Sequence, residues 1–122
     1  MTGYESGKIA EFCARMFLRL KGYVILSKNF KTGPKMNIGE VDFIAKHKKC
    51  IIFVEVKKRS SLEKAAYALS EKQQQRIIRG AQMYLKQHPQ FKDFDLRFDV
   101  ILISPPFYIR HLKNAWQCKG VN

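Results

Sequence analysis

Apolar and polar positions divide the 122-residue chain into an early helical stretch, a group of strands, a second helix and two closing strands. Between residues 7 and 20, Ile9, Phe12, Cys13, Met16, Phe17 and Leu20 recur with the 3.6-residue period of an amphipathic helix, and Lys8, Arg15 and Arg19 fall on the solvated side. Gly22 suits the C-terminal stop. Glu11 lies at the margin of the polar side, in line with Ala14 and Leu18, where a side chain could reach inward along a second, smaller stripe. Periodicity by itself reads it as a solvated glutamate. Residues 23–26 then form a short apolar strand. Residues 27–38, with Lys28, Lys31, Lys35 and Gly33-Pro34, read as a flexible basic loop, either touching phosphates, the favoured reading, or simply solvated.

The stretch 39–59, GEVDFIAKHKKCIIFVEVKKR, reads as two strands joined by a basic turn. With Lys48-Lys49 as a two-residue loop, Val41 opposes Val56, Phe43 opposes Val54 and Ala45 opposes Ile52 on one face. On the other, Ile44 opposes Phe53, Glu40 opposes Lys57, and Asp42 opposes Glu55. Like charges directly opposed across a pair of strands are destabilising. Two carboxylates so placed therefore need a cation, either Lys57 or a divalent metal. The run Ile51-Ile52-Phe53-Val54 marks a strand buried on both faces, so Glu55 follows directly from a dry core.

Asp42, Glu55 and Lys57 make the pattern D…E-x-K. Two carboxylates and the carbonyl of Val56 are hard oxygen donors suited to Mg²⁺ or Mn²⁺. Such an ion grips a phosphodiester oxygen and lowers the pKa of a bound water to make a nucleophile. Lys57 would orient that water or stabilise the charge of the transition state. The alternative, open at this point, is a surface hairpin in which Lys57 makes ordinary cross-strand pairs with Glu40 and Glu55.

After a connection over residues 60–69, Ser70-Glu71-Lys72-Gln73 matches a capping box and opens a helix to Gln87, which ends before His88-Pro89. Gln74 shares a stripe with Ile77, Ile78, Ala81 and Leu85, while Lys72, Arg76 and Arg79 line other sides. An amide on that stripe is either a buried structural hydrogen bonder or part of the site. RFDVILI, residues 97–103, is a further strand, and the helix before it implies a parallel neighbour in a right-handed βαβ unit. Asp99 reads as structural. Pro105-Pro106 breaks the chain, and residues 108–112 can add an edge strand before a tail carrying Trp116. His47, His88 and His111 are far apart in sequence and are assigned no chemistry.

Charge changes the picture more than composition does. With 46% hydrophobic and 27% charged residues, the chain is expected to form one domain spanning residues 1–122. Its net charge of +13 implies a polyanionic partner. Between residues 6 and 62 there are 13 Lys or Arg but 4 acids, and three of those (Glu40, Asp42, Glu55) belong to the hairpin. Carboxylates that persist in so basic a segment are expected to have a task. The expected nucleic-acid contacts are Lys31, Lys35, Lys58, Arg59, Lys72 and Arg76, with DNA favoured over RNA and a homodimer left open. Cys13, Cys50 and Cys118 lack metal-ligand spacing; Cys13 on an apolar helix stripe and Cys50 at the start of a buried strand read as core thiols of a reducing compartment, and a cytoplasmic location is expected. No apolar run has transmembrane length and the N-terminus lacks the layout of a signal peptide, so no membrane partner is expected.

Gly7-Lys8-Ile9-Ala10-Glu11 with Ala14, then Gly22-Tyr23, Asn29-Phe30, GEVDFIA, FVEVKKR, Lys72 to Arg76, Ala81 with Tyr84-Leu85, RFDV and Asn114-Ala115 together resemble the YraN family in order and spacing, over nearly the whole chain. That family is similar to compact members of the PD-(D/E)XK nuclease superfamily, close in fold to archaeal Holliday junction resolvases. The resemblance implies an α/β domain with a mixed central sheet flanked by helices, a restriction-endonuclease-like core in the order αβββαβ. It implies a catalytic set of Glu11, Asp42, Glu55 and Lys57, with Gln74 a weaker addition, and an ion held by Glu11, Asp42, Glu55 and the Val56 carbonyl. The function expected is Mg²⁺- or Mn²⁺-dependent hydrolysis of DNA phosphodiesters, branched or damaged DNA being among the candidate substrates. A non-catalytic nucleic-acid-binding module on the same fold is the runner-up, and a basic protein that binds RNA or ribosomes comes third.

Overall fold

The computed structural model describes residues 3–28, 41–58, 70–104 and 108–114, with side chains from Gly7 onward. In chain order the elements are helix α1 (Gly3–Leu20), strands β1 (Val24–Lys28), β2 (Phe43–His47) and β3 (Cys50–Lys58), helix α2 (Glu71–Gln87), a 3-10 turn (Pro89–Phe91), and strands β4 (Asp95–Ser104) and β5 (Tyr108–Leu112). The five strands form one mixed sheet in the order β1-β2-β3-β4-β5, parallel between β3 and β4 and antiparallel elsewhere. This is the mixed α/β architecture expected from the sequence, and it is compatible with a restriction-endonuclease-like core. No helix among the described residues is long and apolar enough to cross a membrane.

Strand β3 is central because its apolar run has partners on both sides, and Ile51, Ile52, Phe53 and Val54 are each fully buried. Alternate side chains feed two clusters. Ile52 and Val54 join Phe43, Ala45, Ile101 and the α1 residues Ala14 and Leu18. On the other face, Ile51 and Phe53 join Ile44, Phe98, Val100 and the α2 residues Ile77, Ile78, Ala81 and Tyr84. Burying each of the larger side chains is worth roughly 1.5–3 kcal/mol, so the sheet is anchored from both faces.

The β2–β3 hairpin takes the expected register, Phe43 opposite Val54 and Ala45 opposite Ile52. His47 opposite Cys50 closes a two-residue loop, and Lys48 adopts φ +55 there, the left-handed conformation such a loop favours. The ladder stops at Phe43, however, and the expected Val41–Val56 pair does not form. Val41 is buried in the α2-side cluster instead. The cause is local: the Asp42 carboxylate, rather than a main-chain carbonyl, accepts the Val56 N–H, at 2.6 Å. The backbone leaves the strand at that point and the two-residue alternation ends.

Helix α1 corrects a second expectation. Its sheet-facing side is Ala10, Ala14 and Leu18, whereas Ile9, Phe12, Met16 and Leu20 of the expected stripe are 48%, 55%, 38% and 84% exposed. Only Phe17 of that stripe packs partly onto the core. The helix is apolar over much of its circumference, so periodicity marks an apolar side without choosing which part meets the sheet. The two alanines choose it, because a small side chain lets the helix axis approach the strands closely. Gly22 closes the helix at φ +92, where a side chain would be strained. Strand β1 begins at Val24, one residue later than expected, after the buried Tyr23, and its ladder is irregular between Ile25 and Ser27.

Helix α2 forms where the capping signal puts it. Ser70 Oγ accepts the Gln73 N–H at 3.1 Å, and the helix returns along the sheet so that β4 can run parallel to β3. Its N-terminal turn therefore stands toward the end of the sheet where β3 finishes.

Candidate active site

Three carboxylates meet at that end of the sheet. Glu55 lies on the α2-facing side of β3, flanked by Val100 of β4, and is only 8% exposed. Asp42 sits at the head of β2, donating its own N–H to the Val54 carbonyl while its Oδ2 accepts from Val56. The second bond holds the carboxylate against β3. Glu11 comes from α1 on the near side of Ala14 and Leu18, along the smaller of the two stripes. Asp42 is hydrogen-bonded to both glutamates and links them.

The electrostatics follow from this crowding. Burial, then the charge of Asp42 and the hydrogen bond to it, push the Glu55 carboxyl up to about 9, with Lys57 opposing and Glu11 adding to the rise. Glu11 is raised for the same reasons in the same order, against Arg15 and Lys8. Lys57 Nζ is 3.8 Å from Glu55 Oε1, a long contact for an ion pair. One lysine at that distance does not balance three converging carboxyl groups, so Glu55 keeps a proton at neutral pH.

The donor atoms are of the type that hard divalent cations take. They are carboxylate oxygens from three elements and, between Glu55 and Lys57, the Val56 carbonyl, with no nitrogen or sulfur donor. The side chains hold one another through protons rather than standing apart as a cage. Among the described residues no three acidic, histidine or cysteine side chains are spread in ligand geometry. Binding an ion there would displace protons, as it does wherever ligands must ionise first.

The other expected residues divide three ways. Gln74 is half-buried in the second turn of α2, one turn before Ile77 and Ile78, at the same end of the sheet as Glu55. Lys58 and Lys72 are exposed at that end, and Arg76 is half-buried. Lys31, Lys35 and Arg59, together with Glu40, lie outside the described residues. Sequence reasoning missed Arg15, one turn after Glu11. Its Nε and that of Arg76 are buried without a hydrogen-bond partner. A buried donor left unpaired costs about 1–3 kcal/mol, which an anionic ligand would recover. The i+4 spacing from Glu11 was the available signal.

Asp99 is structural, as its sequence context suggested. It is fully buried, and its carboxylate accepts from Arg97 Nε and Nη2 at 2.9 Å, from His111 Nε2 at 2.6 Å and from the Asn114 N–H at 2.9 Å. Burial alone would push it up, but the bonds from His111, Arg97 and Asn114 hold it below the usual carboxylate range. His111, assigned no chemistry from the sequence, thus ties β5 to β4.

Fold and site together define a mixed α/β protein with a partly buried acidic cluster and Lys57 at the end of its central strand. The chain belongs to the uncharacterised protein family UPF0102, the YraN type, whose family model matches residues 10–103. A UPF0102 protein of Bradyrhizobium sp. strain BTAi1 is 46% identical over 116 residues, covering 95% of this chain and 82% of that one. One from Nitrobacter winogradskyi is 44% identical, with 95% of each chain covered. Another, from Paramagnetospirillum magneticum, is 42% identical over 111 residues, 91% of this chain and 86% of the relative.

Proposed function

We propose that the protein is a metal-dependent endonuclease that hydrolyses DNA phosphodiesters, placing it in the PD-(D/E)XK superfamily. The observation that supports this most is the meeting of Glu11, Asp42 and Glu55 with Lys57 at one end of the sheet. A nucleic-acid binder has no use for three carboxylates facing its ligand, and a structural core has no use for a glutamate held protonated to about 9. Asp42, Glu55, Glu11 and the Val56 carbonyl would hold Mg²⁺ or Mn²⁺. When bound, that ion supplies Lewis acidity toward a phosphate oxygen and an acidified water.

The residues of the chain do the rest. Asp42 is fixed by the Val56 N–H, so its orientation does not depend on the ligand. Lys57, on the same face of β3 as Glu55, donates to the attacking water or to the oxygen on which charge builds. Arg15 and Arg76 offer their unpaired Nε donors to neighbouring phosphates. The N-terminus of α2 favours negative charge at the same place.

Purified protein incubated with linear, nicked and four-way DNA, with Mg²⁺, Mn²⁺ or chelator, tests the reading. Cleavage that needs the metal supports it, and preference among the three names the substrate. Tight binding of all three without cleavage under any metal would instead favour the binding module.

A further inference from the structure

The α1-facing side of the sheet carries a second cluster of reversed character, centred on Asp99 opposite Val54 and reaching, through Lys21, Tyr23 and His47, to the end away from Glu55. Tyr23, just before β1, stacks on His47 at the end of β2, with ring centroids 4.3 Å apart and planes 9° from parallel. The Tyr23 hydroxyl accepts from Arg97 Nη2 at 2.7 Å, and the His111 ring meets Tyr23 edge-on at 6.0 Å. Lys21 Nζ lies 3.1 Å from His111 Nδ1 and 5.0 Å from the centre of the Phe17 ring. An ammonium can only donate, so His111 Nδ1 accepts from Lys21 while Nε2–H donates to Asp99. Lys48 and Lys113 stand exposed at the rim.

Two features make this more than a tyrosine with polar neighbours. The carboxylate at its centre, Asp99, is fully buried and takes four hydrogen bonds, so it holds the cluster together without offering negative charge to solvent. The cations meanwhile act on one another. Burial and then the charges of Lys113 and Arg97 hold the Lys21 ammonium below the usual lysine range. Burial, followed by Lys48, Arg97, Lys113 and Lys21, lowers His47 likewise. Fixed donors and crowded positive charge around a packed aromatic pair are what a phosphate requires.

We propose that Lys21, His47 and Lys113, braced by the Arg97–Tyr23 pair, form a phosphate subsite that grips the nucleic-acid backbone away from the acidic cluster. The distance suits a strand. Glu11 and Lys21 are separated by the length of α1 between them, about 15 Å at 1.5 Å per residue. Glu55 and Cys50 on β3 are about 17 Å apart at 3.3 Å per residue. At 3.4 Å per nucleotide along a duplex, that is roughly four to five base pairs. A backbone running along α1 would pass Lys21 and then Glu11, the member of the acidic cluster that α1 carries, so the subsite sets the register of the strand there. The proposal rests on the nucleic-acid half of the reading above and is independent of hydrolysis.

The test is binding in chelator, read by the histidines. The His47 ring resonance of the wild-type protein is titrated with pH alone, with a 12-base-pair duplex and with inorganic phosphate. Bound backbone phosphate should raise the His47 midpoint, and the duplex should do so at far lower concentration than phosphate. In parallel, Lys21→Ala with Lys113→Ala should lower the slope of log affinity against log salt by about two, one per lost contact. Lys86→Ala with Lys92→Ala, an equal loss of charge at exposed positions on other elements, should leave the slope unchanged. Equal losses in both double variants, or a His47 resonance indifferent to duplex, would overturn the proposal. So would a response to inorganic phosphate with none to duplex, which marks a site for free phosphate. Binding through this end without cleavage defeats the hydrolytic reading alone, whereas cleavage with His47 and both lysines untouched defeats this proposal alone.

Discussion

Replacing Glu55 by glutamine should stabilise the metal-free protein, by an amount that grows with pH. In the folded chain the Glu55 carboxyl is pushed from its ordinary value of 4.5 up to about 9, by burial first and then by Asp42. Between those two values the folded state holds a proton that the unfolded state has released. Stability therefore falls as pH rises, by at most about 1.4 kcal/mol per pH unit, and levels off above the folded value. Integrated from 4.5 to pH 7, the loss is up to about 3 kcal/mol, a large share of the 5–15 kcal/mol that holds a domain together. Glutamine cannot ionise, and its amide can still donate to Asp42 as the protonated carboxyl does, so Glu55→Gln escapes this loss. Glu11 is raised in the same sense and keeps its share of the slope in the variant. Urea denaturation at pH 5, 7 and 9 in chelator reads the difference directly. The two proteins should be close at pH 5, and the variant should gain up to about 3 kcal/mol by pH 7. Added Mn²⁺ should narrow the gap by stabilising the wild type alone. A variant less stable than wild type at pH 7 and above, or parallel profiles for the two, would refute the burial of an uncompensated carboxyl at this position.

Other consequences are as direct. Asp42→Asn should abolish Mn²⁺ binding by calorimetry without lowering the melting temperature, because an amide oxygen can still accept the Val56 N–H while the charge that raises Glu55 is gone. Asp99→Ala should destabilise by about 3–5 kcal/mol in urea denaturation, since it strands Arg97 and His111 without their shared partner. DNA affinity measured between 50 and 200 mM salt should fall steeply, by about 10³-fold or more if six or more phosphates are neutralised. A shallow slope would show that the +13 charge is not the binding surface.

The parts legible in the sequence were those fixed by short-range pattern. A two-residue basic turn with Val, Ile and Phe on either side set the β2–β3 register as far as Phe43 and Val54, and the Val56 N–H then holds the Asp42 carboxylate against β3 just beyond the ladder. Ser70 three residues before Gln73, followed by Ile77, Ile78 and Ala81, set the start and the buried face of α2. The buried face of α1 was misread because apolar periodicity weighs large side chains, and the choice lay with two alanines that permit close approach. The exit of Val41 from the ladder was invisible because a side chain, Asp42, replaces a main-chain acceptor there. The Arg97–Asp99–His111 network joins residues 74 positions apart where Arg97 meets Tyr23 and 90 apart where Lys21 meets His111, and polar contacts of that range leave no period to read. Glu11 was reached through resemblance to a family, and its place beside Ala14 and Leu18 gave only the opening.

Hydrolysis stands or falls on Lys57. Its cleavage of a four-way or nicked DNA substrate in Mg²⁺ or Mn²⁺ is to be compared for wild type, Lys57→Ala and Lys58→Ala, with DNA affinity measured alongside. Lys57 lies 3.8 Å from Glu55, whereas Lys58 falls on the opposite face of β3 by strand alternation. Losing one donor at a reacting centre costs about 100- to 1000-fold in rate. Lys57→Ala should therefore suppress cleavage by that factor while binding weakens only mildly, and Lys58→Ala should cut at close to the wild-type rate. A wild type that cuts no DNA under any metal, with the two variants weakening binding equally, would make Lys57 an ordinary surface charge and contradict the enzyme reading.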